Sequence, residues 1–310
     1  MKRVVITGGI GFIGANLIQR LKAKFKLLVI DAGLIGDGNL QLIKQDIDYV
    51  KVNLLDKEKV SSYLKSTDII IHLAAKGNVV ESVEDPMSNF NCNVLSTLSL
   101  LEAMREVNCS KIIFSSTGGA LMGNAPPPVN EKTCPSPISP YGASKLSCEG
   151  YISAYSSSYG FDAFILRFGN VYGPYSSHKK GVINKFIKKI ISGQSLDVFG
   201  SLDTSRDYIH VKDICQGINL CLDKFLNEKY TGLEKFHLAN GEEVTLKKII
   251  EKLKIITKKN ITYNISPQRI GEVKRNSSDY SKAKEILGFI PTIKLEDGLS
   301  ELYAWILNNP

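Results

Sequence analysis

Thr7-Gly8-Gly9-Ile10-Gly11-Phe12-Ile13-Gly14 follows an apolar, β-type run at 4–6, and Asp31 closes the next such run at 27–30. Together they make the signature of a dinucleotide site. Gly8, Gly11 and Gly14 let the turn after the first strand bend tightly and bring a pyrophosphate to the N-terminus of the helix that Phe12 and Ile13 begin. An acid about 20 residues on accepts hydrogen bonds from a ribose diol. Asp31 speaks for NAD, because a carboxylate there repels the 2′-phosphate of NADP.

Apolar β-branched runs recur at 49–52, 68–73, 111–115 and 164–167, with amphipathic stretches between them. That alternation predicts an α/β fold, a doubly wound (Rossmann) parallel sheet over residues 1–174 that holds NAD. After Pro174 the rhythm breaks into short strands at 197–199 and 235–238 and helices at 181–192, 213–225, 245–256, 280–287 and 295–307. Residues 175–310 are expected to form a smaller C-terminal α/β substrate-binding lobe, with the chain free to cross between the two. The prolines of Ala125-Pro126-Pro127-Pro128 have no backbone donors, so 118–140 reads as a long loop. Loops of that length usually serve a function.

Composition narrows the partners. A chain of 310 residues that is 43% hydrophobic buries a large core as one big or two smaller domains. No apolar run approaches the roughly 18 residues of a membrane span and no signal-peptide pattern opens the chain, so a cytoplasmic protein is expected. Its six cysteines include no CxxC pair and no histidine stands at metal-ligand spacing, which points to reduced thiols and no metal site. The net charge of +8 invites a nucleic-acid reading. However, the lysine pairs lie among apolar residues at helical spacing, as in 183–191, and read as solvated helix faces. An anionic small substrate gains from the same field.

The second decisive stretch is Tyr141-Gly142-Ala143-Ser144-Lys145 at the start of a helical segment, where a separation of four puts Tyr141 and Lys145 on one face. A phenol ionises near pH 10; a neighbouring ammonium and an oxidised nicotinamide both favour phenolate. Tyr141 is thereby a candidate base for a sugar hydroxyl. Ser115-Ser116-Thr117 ends the predicted fifth strand, where doubly wound sheets keep their sites, and a hydroxyl there can share the proton with Tyr141.

In these motifs the chain resembles, over nearly its whole length, the extended short-chain dehydrogenase/reductases, in particular the NAD-dependent epimerase/dehydratase group acting on nucleotide sugars. Further ordered matches are 53–56, 72–75, 93–97, 166–174, 206–213 and 269–272 leading to 279–282. The resemblance implies that Asp56 meets the adenine, that Leu73, Ala74 and Ala75 pass beneath the cofactor, and that Asn93 helps hold it. On the substrate side it implies Asn170, Arg206 and Arg269 at the diphosphate, Val198 and Phe199 beside the base, and Thr117 and Glu272 within the site. Two guanidinium forks suit a pyrophosphate.

Members of the group that eliminate or decarboxylate carry an acid just after the catalytic Thr. Here Gly118 and Gly119 follow Thr117, and glycine transfers no proton. The resemblance thus favours NAD-dependent 4-epimerisation of a nucleotide-diphosphate hexose such as UDP-glucose through a 4-keto sugar, in polysaccharide supply; the alternative is a 4-keto-sugar reductase of the same family. Met122 stands where a Tyr is usual, which leaves Ser116 and Thr117 both open as the working hydroxyl. In related 4-epimerases a small residue three before the position of Asp279 admits N-acetylhexosamines, and the resemblance implies the same of Asn276. The group also implies a homodimer through 85–107 and 141–159.

Overall fold

The computed structural model describes residues 2–33, 37–228 and 230–309. Six strands, β1 (Arg3–Thr7), β2 (Lys26–Asp31), β3 (Asp48–Lys51), β4 (Ile69–His72), β5 (Lys111–Thr117) and β6 (Asp162–Phe168), join a seventh, Leu233–Leu238, in one sheet. The spatial order is β3-β2-β1-β4-β5-β6 and then Leu233–Leu238, and every pair is parallel. The order reverses between β1 and β4, so a crevice opens at their C-terminal ends, the doubly wound arrangement expected.

Continuous apolar runs form these strands because both faces are covered. Ile6, Ile71, Ile113, Phe164 and Leu166 pack on one face with the Phe12–Leu21 and Val211–Asn227 helices. Val5, Ile70, Ile112, Phe114 and Ile165 pack on the other, where Cys148 and Ile152 of the Pro140–Tyr159 helix meet them. A third core, built on Phe186, Ile187, Leu196, Val198, Ile249 and Leu302, belongs to the C-terminal lobe. Since Val211–Asn227 and Leu233–Leu238 return to the main sheet, the chain crosses between the layers after residue 174. The expected long loop also differs in one respect: Gly119–Met122 is a short helix, and Leu121 and Met122 are buried with Val129.

The turn after β1 leaves no room for side chains at two of its glycines. Gly8 has φ +72°, and a Cβ there would lie 2.6 Å from the backbone N and Cα of Ala74, two residues beyond β4. At Gly14 a Cβ would lie 2.5 Å from Gly9 Cα. No helix among the described residues is long and apolar enough to cross a membrane. Gly8→Ala meets both the left-handed conformation and the Ala74 backbone, so it is expected to destabilise the fold by at least about 2 kcal/mol in urea unfolding. An unchanged midpoint would show that β1 and β4 do not need this approach.

Candidate active site

The crevice residues suit a dinucleotide. Gly11 precedes the Phe12–Leu21 helix without a side-chain cap, leaving first-turn N–H groups for a phosphate. Asp31 at the end of β2 is anchored by the backbone: Gly33 N–H donates to Oδ1 at 3.0 Å and Ile10 N–H to Oδ2 at 3.4 Å. A glycine cradle that any Cβ would fill, an uncapped helix and a fixed carboxylate together fit NAD. Leu73 and Ala74 lie half-buried on the far wall, and Ala75 is exposed. Asp56 has a task that the motif did not reveal, since its Oδ1 caps the Lys57–Tyr63 helix through Lys59 N–H at 3.1 Å.

Asn93 is buried in a π-helical turn, Asn91–Leu95, and acts on the neighbouring backbone. Its Oδ1 accepts Lys76 N–H at 2.8 Å while its Nδ2 donates to Lys76 O at 3.2 Å and Ser144 Oγ at 2.9 Å. It therefore fixes the segment that follows Ala75. Beneath it, Thr97 donates to Asn93 O at 2.6 Å, so it accepts from His72 Nε2 at 2.9 Å, and Nδ1 accepts from Thr7 at 2.6 Å. Burial, with Lys145 nearby, holds that imidazole down at about 3.

The Pro140–Tyr159 helix starts where Ser139 Oγ accepts Gly142 N–H at 3.2 Å and Pro140 occupies the first turn. Tyr141, Lys145 and Glu149 follow at intervals of four on one face. Lys145 is buried, donates to Ser115 O at 2.8 Å and lies 4.5 Å from the centroid of the Phe114 ring. Burial lowers it to about 8 and raises the Tyr141 phenol to about 12. A lowered phenol is expected from the ammonium and an oxidised nicotinamide together; in the protein by itself, desolvation wins.

The three hydroxyls at the end of β5 separate. Ser115 Oγ donates to His72 O at 3.0 Å. Ser116 Oγ donates to Glu149 Oε1 at 2.6 Å, inside a buried ion pair in which Arg167 Nε and Nη2 reach the same carboxylate at 3.0 and 2.7 Å. Burial works against that carboxylate, yet Arg167 and Ser116 hold it below its ordinary value. Thr117, half-buried at the strand end, is the member of the trio whose hydroxyl has no protein partner among the described residues.

On the C-terminal-lobe side, Arg206 Nη1 donates to Ser205 O at 2.8 Å and Lys274 O at 3.2 Å, with no carboxylate at ion-pair distance among the described residues. Arg269 lies 3.6 Å from the Phe199 ring centroid and 3.8 Å from Glu272. Asn170, exposed, opens the Asn170–Tyr172 strand. One expectation changes: the Val198 side chain is fully buried in the lobe core, so only its backbone is left to border a ligand, whereas Phe199 is half-buried. Asn276 is 2% exposed with an unpaired Oδ1, and a Cβ on Gly119 would lie 3.2 Å from its Cγ. Asp207, which the motif did not single out, accepts the N–H groups of Asn240, Gly241 and Ser278 at 2.8, 3.0 and 3.1 Å and so gathers three segments behind the arginines. The 124–127 loop and Gln268, Glu272, Lys274 and Arg275 line a cavity of about 640 Å³. Among the described residues no three His, Cys, Asp or Glu gather as a metal site.

Residues 4–231 match the NAD dependent epimerase/dehydratase family. The chain is similar to a UDP-glucose 4-epimerase of Thermotoga maritima, solved with UDP-glucose, at 31% identity and a TM-score of 0.91 over 99% of both chains. It is also similar to a UDP-N-acetylglucosamine 4-epimerase of Methanobrevibacter ruminantium, solved with UDP-N-acetylmuramic acid: 32% identity, TM-score 0.91, 100% of this chain and 99% of the other. A UDP-glucose 4-epimerase of Mycolicibacterium smegmatis is 28% identical over 99% of each chain.

Ser116→Ala strips a donor from the buried Glu149 carboxylate and is expected to cost about 1–3 kcal/mol of stability. Thr117→Val, which breaks no protein hydrogen bond, should stay within about 0.5 kcal/mol of the parent in the same denaturation series. The reverse order would exchange their roles.

Proposed function

The chain belongs to the NAD-dependent epimerase/dehydratase family, and from that premise we propose that it is an NAD-dependent 4-epimerase of UDP-hexoses, working through a transient 4-keto sugar. One observation carries this reading within the family: the position after Thr117 is closed to an acid. A Cβ on Gly118 would lie 2.9 Å from Ser278 Oγ and 3.1 Å from His237 Nδ1, and Glu149, the nearest acid on the catalytic helix, is locked on Arg167. With no second proton carrier, the keto sugar has only reduction open to it.

NAD, when bound, supplies the acceptor and donor of hydride at the sugar C4. Tyr141 Oη takes the O4 proton, and Thr117 Oγ1 holds the same oxygen and shares that proton. Lys145 keeps its ammonium charged on the acid side of about 8 and favours phenolate once ligands bring further positive charge. Gly8, Gly11, Phe12, Ile13 and Gly14 receive the cofactor pyrophosphate, Asp31 the ribose diol, and Asp56, Leu73, Ala74, Ala75 and Asn93 frame the rest. Arg206 and Arg269 clamp the substrate diphosphate, with Asn170 and Glu272 beside it. Ser116 belongs to the support of Glu149. The cofactor part is residues 1–174 with the elements that return to its sheet, and the nucleotide-sugar lobe takes the remainder of 175–310. The six free thiols fit a cytoplasmic setting.

The small side chain of Asn276 supports acceptance of an N-acetyl group at the sugar C2. The purified protein should interconvert UDP-galactose and UDP-N-acetylglucosamine with their 4-epimers, without net NADH, as resolved by chromatography. Asn276→Tyr should abolish the N-acetylhexosamine reaction and spare the other. Equal loss of both would remove Asn276 from selection, and stoichiometric consumption of reduced cofactor on a 4-keto sugar would make the protein a reductase.

A homodimer is part of the same proposal. Exposed Met87, Phe90 and Leu95 lie on helical segments adjoining Pro140–Tyr159, which itself presents exposed Ala143, Ser147, Gly150, Tyr151 and Ala154. Nothing lies within 4 Å of a Cβ on Gly150. Gly150→Arg should therefore sediment as a folded monomer where the parent sediments as a dimer; a monomeric parent would dismiss this face.

A further inference from the structure

Tyr141 is the second residue of its helix, where a backbone N–H has no acceptor in the preceding turn. The residue before it is Pro140, which has no N–H, and the Ser139 cap serves Gly142. Tyr141 N–H instead leaves its own helix and donates to Ser82 Oγ at 3.1 Å. The Ser82 hydroxyl proton is itself committed to Val79 O at 2.7 Å, so Oγ presents a lone pair to Tyr141. Ser82 is 1% exposed, so its side of that bond is shielded from bulk water.

The short helix that carries Ser82, Val79–Glu84, is held at its start by Asn78, whose Oδ1 accepts Val80 N–H at 3.0 Å and Glu81 N–H at 3.3 Å. Its other side meets the sugar lobe. Gly271, between Arg269 and Glu272, has φ +81°, and a Cβ there would lie 3.3 Å from Val83 Cγ2 and 3.6 Å from both Val79 Cγ1 and Ser139 Cβ. Lys180 reaches Glu81 from the same lobe at 2.8 Å. One element of six residues thus touches the loop that bears an arginine and the backbone of the base.

We propose that Ser82 is a positioning residue for Tyr141, and that through the Val79–Glu84 helix the seating of Arg269 on a substrate diphosphate is felt at the base. This rests on the epimerase reading given above. Ser82 touches neither reactant; it sets the entry of the helix on which the phenol is mounted, and a displacement there of the order of an ångström is costly to a reaction that depends on alignment.

Ser82→Ala and Ser82→Thr are compared with the parent in the UDP-galactose assay, with NAD affinity and Tm measured alongside. Ser82→Ala should lower kcat at least ~10-fold while KM and NAD affinity stay within about two-fold. Ser82→Thr, which keeps the hydroxyl, should restore most of kcat. The inference is overturned if Ser82→Ala keeps the parent kcat, if kcat falls only together with NAD affinity and Tm, or if Ser82→Thr is no better than Ser82→Ala. Absence of turnover in the parent would be a failure of the epimerase reading instead.

Discussion

Glu149 and Arg167 face one another in the dry space between a helix and a sheet, 1% and 2% exposed, with both carboxylate oxygens engaged by the guanidinium. Removing one partner of such a pair typically costs about 3–5 kcal/mol, because the other is left charged and unpaired. The pair fixes the rotation of the Pro140–Tyr159 helix about its axis. Two residues at intervals of four toward the N-terminus, Lys145 and Tyr141, then face the crevice together. Ser116 sits in the same register row as Arg167 and adds a third bond to the carboxylate. The placement of the proposed catalytic pair thus depends on a charge pair buried behind it.

The electrostatics bear on why a tyrosine, and not a histidine, is the proposed base. Burial pulls all four histidines below their ordinary value: His72 to about 3, His178 and His237 to about 4, and His210 downward as well. His72, His178 and His237 are thereby neutral imidazoles near pH 7. The same desolvation holds Tyr141 protonated at about 12 in the protein alone. The low-dielectric site that disfavours a lone phenolate also strengthens any cation placed beside it. Keeping the proposed base protonated in the protein alone spares the site a buried charge.

Much of this was legible in the amino-acid order. The glycine turn, the carboxylate closing β2 and the alternation of apolar runs are local signals, and they placed the doubly wound sheet and its crevice. The Tyr141–Lys145 spacing was legible because a helix repeats its face every four residues. Glu149 continues that spacing and could have been read from it, but its partner Arg167 comes from another strand. Asp207 was hidden for the same reason: its three N–H donors lie 33, 34 and 71 residues away. Val198 and Phe199 were expected side by side at one ligand, yet adjacent residues of a strand point to opposite faces, so one of them had to enter the core. Ser116 and Thr117 separate by the same alternation.

The central claim is that hydrogen at the sugar C4 leaves and returns within one active site while Tyr141 and Thr117 handle only the hydroxyl proton. UDP-glucose deuterated at C4 tests it directly. Mass spectrometry of the UDP-galactose formed should find the deuterium retained at C4 through many turnovers. Its exchange into solvent, or its accumulation in reduced cofactor released from the protein, would contradict the account.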